Sequence, residues 1–211
     1  MITIWGGATS RTLRAHWMIH ELGVDYTPEL IGSRTGATQT EAFRALNPKE
    51  KIPVLVDDDL VLTESVAIVT YLGDTYGVDS GLVPKPYTVA RAHYNEWTSF
   101  IQMELDAHTL YVMRKHLDLA ELYGEAPAAI ETAIAGFNKQ VAVAERRLTE
   151  QSYLLGDSFT AADLVLMTCL DWAEIYGIKL AETFQPYRDR IHQRPAFQSA
   201  RKLNFSISPG G

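Results

Sequence analysis

Residues 47–72 read Asn-Pro-Lys-Glu-Lys-Ile-Pro-Val-Leu-Val-Asp-Asp-Asp-Leu-Val-Leu-Thr-Glu-Ser-Val-Ala-Ile-Val-Thr-Tyr-Leu, and few folds can hold such a run. Asn47-Pro48 stops any helix that precedes it, because a proline ring clashes with the preceding turn. Val54–Val56 and Leu60–Leu62 flank the acidic triplet Asp57-Asp58-Asp59, which predicts two short strands joined as a hairpin. A helix is expected over 65–76, offering Val66, Ile68, Val69 and Leu72 to a core and closing at Gly77.

Ile52-Pro53 stands directly before the first of these strands, although proline cannot donate to a sheet ladder. A cis peptide resolves the conflict by turning the chain and aiming the Ile52 backbone outward, where it can pair with the backbone of a bound peptide. An ordinary trans proline at a strand start is the alternative.

Upstream, residues 2–5 read as a strand, Gly6–Ser10 as a small-residue loop, and 11–22 as a helix with Leu13, Trp17 and Leu22 on its apolar side and Gly23 as its cap. Val24–Ile31 reads as a second strand, at an edge because it contains Pro28. Residues 40–46 form a brief helix. The order within the first 77 residues is therefore βαβαββα. Residues 78–87, with two prolines and a glycine, mark a linker. Beyond it the patterns over 88–117, 127–150, 161–177 and 186–204 are helical, and the Ser-Pro-Gly-Gly tail is expected to fray. The fold class is α/β followed by all-α: a first domain over 1–77, the linker 78–87, and a helical domain over 88–211. Within that domain Thr160 and Asp163 form an Asp variant of a capping box, with Phe159 and Leu164 placed as a hydrophobic staple.

Two short segments carry chemistry. In Thr63-Glu64-Ser65, Thr63 can cap the helix that follows, whose first N–H groups and dipole favour an anion. A Ser65 hydroxyl there grips a carboxylate and Glu64 pairs with an ammonium, which together suit an α-amino acid end. Plain helix capping explains the same residues without a ligand. Thr9 and Ser10 likewise stand at the start of the first helix. A thiolate placed there meets a hydroxyl donor and a positive dipole end, which lower a thiol pKa from about 8.5. N-capping is again the simpler use.

The formal net charge of −7 argues against a nucleic-acid surface. Cys169, the single cysteine, excludes an intramolecular disulfide and reads as a buried, inert thiol. The start of the chain carries no signal-peptide pattern, and no apolar run approaches the roughly 20 residues of a membrane span. Cytoplasmic localisation without membrane association is expected. His16 and His20 stand four residues apart, but no carboxylate cluster completes a metal site, so no metal is expected.

Three blocks resemble the cytosolic glutathione transferases over nearly the whole chain: residues 3–14 with Glu21-Leu22-Gly23, the run Asn47–Leu72, and Gly156–Leu164. The resemblance implies a thioredoxin-like first domain, a helical second domain, glutathione as cosubstrate and a homodimer. It implies that Ile52, beside a cis Pro53, contacts the cysteinyl backbone of glutathione, that Glu64 and Ser65 hold its γ-glutamyl end, and that Lys51 reaches its glycyl carboxylate. Either Ser10 or Thr9 is the activating hydroxyl. Counting back from Glu21-Leu22-Gly23 aligns Thr9 with the serine of theta-like and zeta-like classes, and counting from the start of the chain favours Ser10. Trp5 stands where alpha, mu and pi classes have a tyrosine, and the loop lacks the cysteine of omega and beta classes. Glu50 replaces a glycine common in this motif, which is expected to alter the loop. The resemblance thus points to a serine-type transferase that conjugates glutathione to small apolar electrophiles. The acceptor pocket is expected between the Gly6–Ser10 loop and helix 88–117, with Met103, His108 and Tyr111 as candidates. A non-catalytic scaffold and glutathione-dependent isomerase, peroxidase or disulfide reductase activities are the alternatives.

Overall fold

The computed structural model describes residues 1–208; the last three residues of the tail expected to fray, 209–211, lie outside the described residues. The chain divides into two compact units. One comprises residues 1–83 together with the segment from Ile191 onward, and the other comprises Pro84–Arg190. The division falls inside the 78–87 stretch.

In the first unit, β1 (Ile2–Trp5) pairs in parallel with β2 (Thr27–Glu29), with α1 (Ser10–Leu22) between them. After α2 (Glu41–Leu46), the hairpin of β3 (Val54–Asp57) and β4 (Leu60–Thr63) adds antiparallel strands, giving the order β2-β1-β3-β4. Only three residues of the expected second strand pair, and β2 is an edge, so the missing N–H of Pro28 breaks no ladder. Asp58 takes φ 49 in the two-residue hairpin turn, the conformation that matches the right-handed twist of the strands. Then α3 (Ser65–Tyr76) packs against α1.

The second unit opens with α4 (Val89–Phe100), which runs on through a π-helical stretch, Ile101–Leu110, into α5 (Tyr111–His116). The helix expected over 88–117 is thus continuous but widened in its middle. A short α6 (Ala120–Tyr123) precedes α7 (Pro127–Glu150), which begins with its proline in the first turn, where the missing N–H has no partner to lose. In α8 (Ala161–Ile175) every side chain from Ala161 to Leu170 is buried, as its nearly uninterrupted apolar sequence requires. Its start is fixed by Asp163, fully buried, whose carboxylate accepts from Leu154 N at 2.8 Å, Thr160 N at 2.9 Å, Thr160 Oγ1 at 2.9 Å and Tyr187 Oη at 3.2 Å.

The helix expected over 186–204 is two helices, α9 (Gln185–His192) and α10 (Pro195–Asn204). Arg194 is extended (ψ 125), as steric pressure from the following proline requires, and Pro195 restarts the helix. The structure differs from the sequence reading in where this end packs. It joins the first unit, with Phe197 edge-on to Trp17 at 4.7 Å and Arg194 Nε and Nη2 each 2.7 Å from the Glu21 carboxylate. Residues Thr12 to Ile19 of α1 are consequently all buried, where the spacing of Leu13, Trp17 and Leu22 suggested a single apolar side. Among the described residues no helix is long and apolar enough to cross a membrane.

Replacing Asp163 by Ala orphans three donors at the start of the central helix, Leu154 N, Thr160 N and Thr160 Oγ1, while Tyr187 Oη keeps the Asp163 carbonyl at 3.3 Å. We expect a loss of about 3 kcal/mol in unfolding free energy, read from urea denaturation, since each buried unpaired group costs about 1–3 kcal/mol and partial relaxation recovers some of it.

Candidate active site

Strand register gathers the expected site residues. Trp5 lies opposite Val54, and Val54 lies opposite Thr63. The next residue on each strand therefore brings Gly6, Pro53 and Glu64 to the same end of three adjacent strands. Gly6 N and Gly7 N donate to Glu29 O and Ile31 O, both at 2.9 Å, and carry the β1–β2 pairing past the strands themselves. Gly6 has φ 120, and a Cβ there would fall 2.6 Å from Thr12 Cγ2 and 2.8 Å from Ile52 Cβ. Only glycine permits this approach of the first loop to Ile52. The Ile52–Pro53 bond is cis; Pro53 is buried, Ile52 half-buried and Lys51 exposed.

The loop before Ile52 is organised by Asn47, which is buried. Its Nδ2 donates to Lys51 O at 2.8 Å and its Oδ1 accepts from Lys49 N at 3.1 Å. Glu50 takes φ 55, the left-handed conformation that glycine adopts without steric cost, and its carboxylate accepts from Arg44 Nε at 2.7 Å. The backbone conformation open to glycine is thus held here by a non-glycine residue.

At the start of α3 the structure corrects one expectation. Thr63 does not cap the helix: it ends β4, and its hydroxyl accepts from Lys49 Nζ at 2.8 Å. Glu64 occupies the cap position with φ 71 and ψ 114 and makes no side-chain cap bond, so the first N–H groups of α3 are not taken by its side chain. Such a backbone costs a non-glycine residue about 1–3 kcal/mol and persists where the surroundings over-determine it, as at ligand clamps. Glu64 itself is exposed and pairs with Lys49 Nζ at 2.7 Å. Ser65 is buried as the first residue of α3, and its Oγ accepts from Nη1 of the fully buried Arg14 at 3.2 Å. A guanidinium therefore lies against a helix N-terminus, adding to its positive potential. The sequence reading missed Arg14 and Lys49; no motif marks either.

The two candidate hydroxyls separate. Thr9 is the N-cap of α1 and Ser10 its first residue. Thr9 Oγ1 accepts from Thr12 N at 3.1 Å and lies 2.9 Å from Thr12 Oγ1, while Thr9 N donates to Thr12 Oγ1 at 3.2 Å. Thr12 Oγ1 donates to Asn204 Oδ1 at 2.7 Å, which leaves the Thr9 proton to bond Thr12. Both hydroxyl protons are thereby committed within the cap. Ser10 is half-buried, and its hydroxyl makes no hydrogen bond with the described residues.

Below the loop, His16 is fully buried. Its Nε2 lies 2.9 Å from Gly6 O and its Nδ1 lies 2.9 Å from Tyr26 Oη, which in turn is 3.2 Å from His20 Nε2. A carbonyl only accepts, so the His16 proton sits on Nε2 and Nδ1 accepts from Tyr26. The two histidines share one tyrosine hydroxyl. Burial drives the His16 pKa down to about 4, against the Gly6 hydrogen bond, and lowers that of His20 as well. The candidates Met103 and His108 are exposed on the π-helical stretch, five residues apart, and Tyr111 is half-buried with Lys115 Nζ 5.4 Å from its ring centroid.

A four-stranded mixed sheet flanked by helices, with two helix N-termini at the site, is a thioredoxin-like arrangement. Comparison with known proteins assigns it further. Residues 1–74 match the model of the glutathione S-transferase N-terminal domain, and residues 100–195 match that of the C-terminal domain. Glutathione S-transferase GstA of Escherichia coli O157:H7 is 30% identical over 195 residues, covering 90% of this chain and 92% of that protein. Bovine (Bos taurus) glutathione S-transferase theta-1 is 32% identical over 141 residues, 65% of this chain and 58% of that protein. The crystal structure of the theta class glutathione S-transferase from Xanthomonas axonopodis pv. citri, solved with glutathione bound, superposes with a TM-score of 0.81 at 29% identity, covering 98% of each chain. The chain belongs to the glutathione S-transferase family.

His16 makes stability depend on pH. Its pKa is depressed from 6.5 to about 4 on folding, so the folded state binds fewer protons between these values. Its contribution is complete above pH 6.5 and is lost as pH falls through 4, by about 3 kcal/mol in all. Urea midpoints measured from pH 7 down to pH 4 should fall in the native protein and flatten in His16→Gln.

Proposed function

We propose that this protein binds glutathione at the end of the sheet in its first unit and stabilises the tripeptide's thiolate for attack on small apolar electrophiles. The reading rests on the strand register that gathers the Gly6–Ser10 loop, Ile52-Pro53 and Glu64-Ser65. Glu64 receives the γ-glutamyl ammonium, while Ser65 and the open N-terminus of α3 receive the neighbouring carboxylate. The backbone of Ile52 pairs with the cysteinyl unit, and Lys51 meets the glycyl carboxylate. The sulfur then lies beside the start of α1, where Ser10 donates a hydrogen bond to it.

Ser10 rather than Thr9 has this role, because the Thr9 proton is committed to Thr12. Lowering a thiol pKa by about two units requires about 2.7 kcal/mol of preference for the charged form. A charge-assisted hydrogen bond supplies about 1.5–3 kcal/mol and a helix terminus about 0.3–1 kcal/mol, so the two suffice. The hydroxyl acts as a donor and not as a base. In the reaction the sulfur lone pair forms a bond to an electrophilic carbon. A leaving group such as halide departs with its bonding electrons, or, in an addition, the substrate carbanion takes a proton from water. The protein works as a homodimer in the cytoplasm.

Ser10→Ala should lower kcat/KM for a chloroaromatic acceptor by about 10- to 100-fold, the equivalent of the lost charge-assisted bond. Thr9→Ala should cost about 1 kcal/mol of stability with at most a few-fold loss of activity. If the thiol of bound glutathione stays protonated at neutral pH, judged by thiolate ultraviolet absorbance, the protein is a non-catalytic binder and the proposal fails.

A further inference from the structure

Ser10 lies in a turn held from the far end of the chain. Asn204, the last residue of α10, is fully buried against the start of α1. Its backbone carbonyl accepts from Ala8 N at 2.6 Å. Its side-chain Nδ2 donates to Thr9 O at 3.1 Å, and its Oδ1 accepts from Thr12 Oγ1 at 2.7 Å. One amide group thus bridges the cap residue and the third helical residue of α1, with Ser10 between them. Ala8 is held at φ 57, a conformation that a non-glycine residue keeps only under external constraint. The loop has no slack toward α10 either: a Cβ on Gly7 would fall 2.9 Å from Ile207 Cδ1 and 3.3 Å from Asn204 O.

We propose that Asn204 is a positioning residue for the Ser10 hydroxyl, a role that rests on Ser10 being the thiolate's donor. A hydrogen bond weakens steeply with misalignment, so a donor must be held in direction as well as distance. The first turn of a helix is its least constrained part, because its N–H groups lack intrahelical partners. Asn204 removes that freedom by fixing Thr9 O and Thr12 Oγ1 at once. The residues expected to hold the rest of the tripeptide, 51–53 and 64–65, are set by β3, β4 and α3 and do not depend on Asn204. Its loss should therefore be felt at the sulfur and not in ligand binding.

The experiment compares Ser10→Ala, Asn204→Ala, Asn204→Leu and the double variant Ser10→Ala/Asn204→Leu in the full-length protein, with glutathione as the probe. Leucine has the same branching and number of side-chain heavy atoms as asparagine and leaves no cavity; the Thr12 hydroxyl, 2.9 Å from Thr9 O, keeps a partner in it. Arg194→Met is the control, since it cuts the bond of α10 to Glu21 away from the loop. The Asn204 variants should lose about tenfold in thiolate fraction below the pKa of the bound thiol and about tenfold in kcat, with KM for glutathione within about twofold. The pH profile of kcat/KM should move to higher pH. Arg194→Met should lower Tm without moving that profile, and the double variant should be no worse than Ser10→Ala. An unmoved profile in folded Asn204→Leu, an equal shift in Arg194→Met, or additive losses in the double variant would overturn the proposal while leaving Ser10 in place. An unmoved profile in Ser10→Ala would remove the Ser10 reading, and this proposal with it.

Discussion

The two-sided pairing of β1 decides where everything else in the first unit lies. It meets β2 in parallel on one side and β3 antiparallel on the other, and Gly6 and Gly7 extend the first ladder into the loop. A slip of one residue would exchange buried Ile2 and Ile4 with half-buried Thr3 and Trp5, so burial alone fixes the register. The register in turn decides that the chain leaving β1, the chain entering β3 and the chain leaving β4 meet at one place. No pairwise attraction among Gly6, Pro53 and Glu64 is needed to assemble the site.

Charge at this place runs against the sign of the whole protein. The chain carries a net −7, yet Arg14 lies buried beneath the start of α3 and Lys49 bonds Glu64 and Thr63 at its rim. Removing a guanidinium from water is costly, and here one of its N–H groups donates to the Ser65 hydroxyl at the start of a helix whose cap residue makes no side-chain cap bond. Positive potential concentrated in a low-dielectric site, with one exposed carboxylate beside it, suits a zwitterionic end group better than a simple anion.

Local signals were legible in the sequence and distant ones were not. The hairpin around Asp58, the capping box of α8 and the edge position of β2 all follow from residues a few positions apart, whereas the local residues leave the Ile52–Pro53 bond open and its cis form is expected from the family resemblance. At Arg194-Pro195 the local break signal outweighs the helical periodicity that runs through it, because the proline ring forces Arg194 out of the helical region. Thr63 failed as a cap because a backbone at φ 71 for Glu64 is set by the β4–α3 junction, which no propensity describes. Asn204 could not have been found, since its partners are 192 and 195 residues away. The same holds for the packing of α10, since an amphipathic helix declares that it has a buried face but not which neighbour buries it.

What selects that neighbour is the polar content of α1. Between Thr12 and Ile19 this helix buries Thr12, Arg14 and His16 as well as Trp17. Three of these groups find different elements: Thr12 meets Asn204 on α10, Arg14 meets Ser65 on α3 and His16 meets Gly6 O beyond the end of β1; Trp17 Nε1 instead meets Glu21 of α1 itself, whose carboxylate also holds Arg194. An all-apolar helix in the same place could turn about its axis by one residue and repack at modest cost. Turning α1 by one residue, about 100°, would break the three inter-element pairings together, and each buried group left unpaired costs about 1–3 kcal/mol. The polar residues thus add little net stability but fix the rotation of α1 about its own axis. Because Ser10 is the first residue of that helix, the same constraint fixes the direction in which its hydroxyl points.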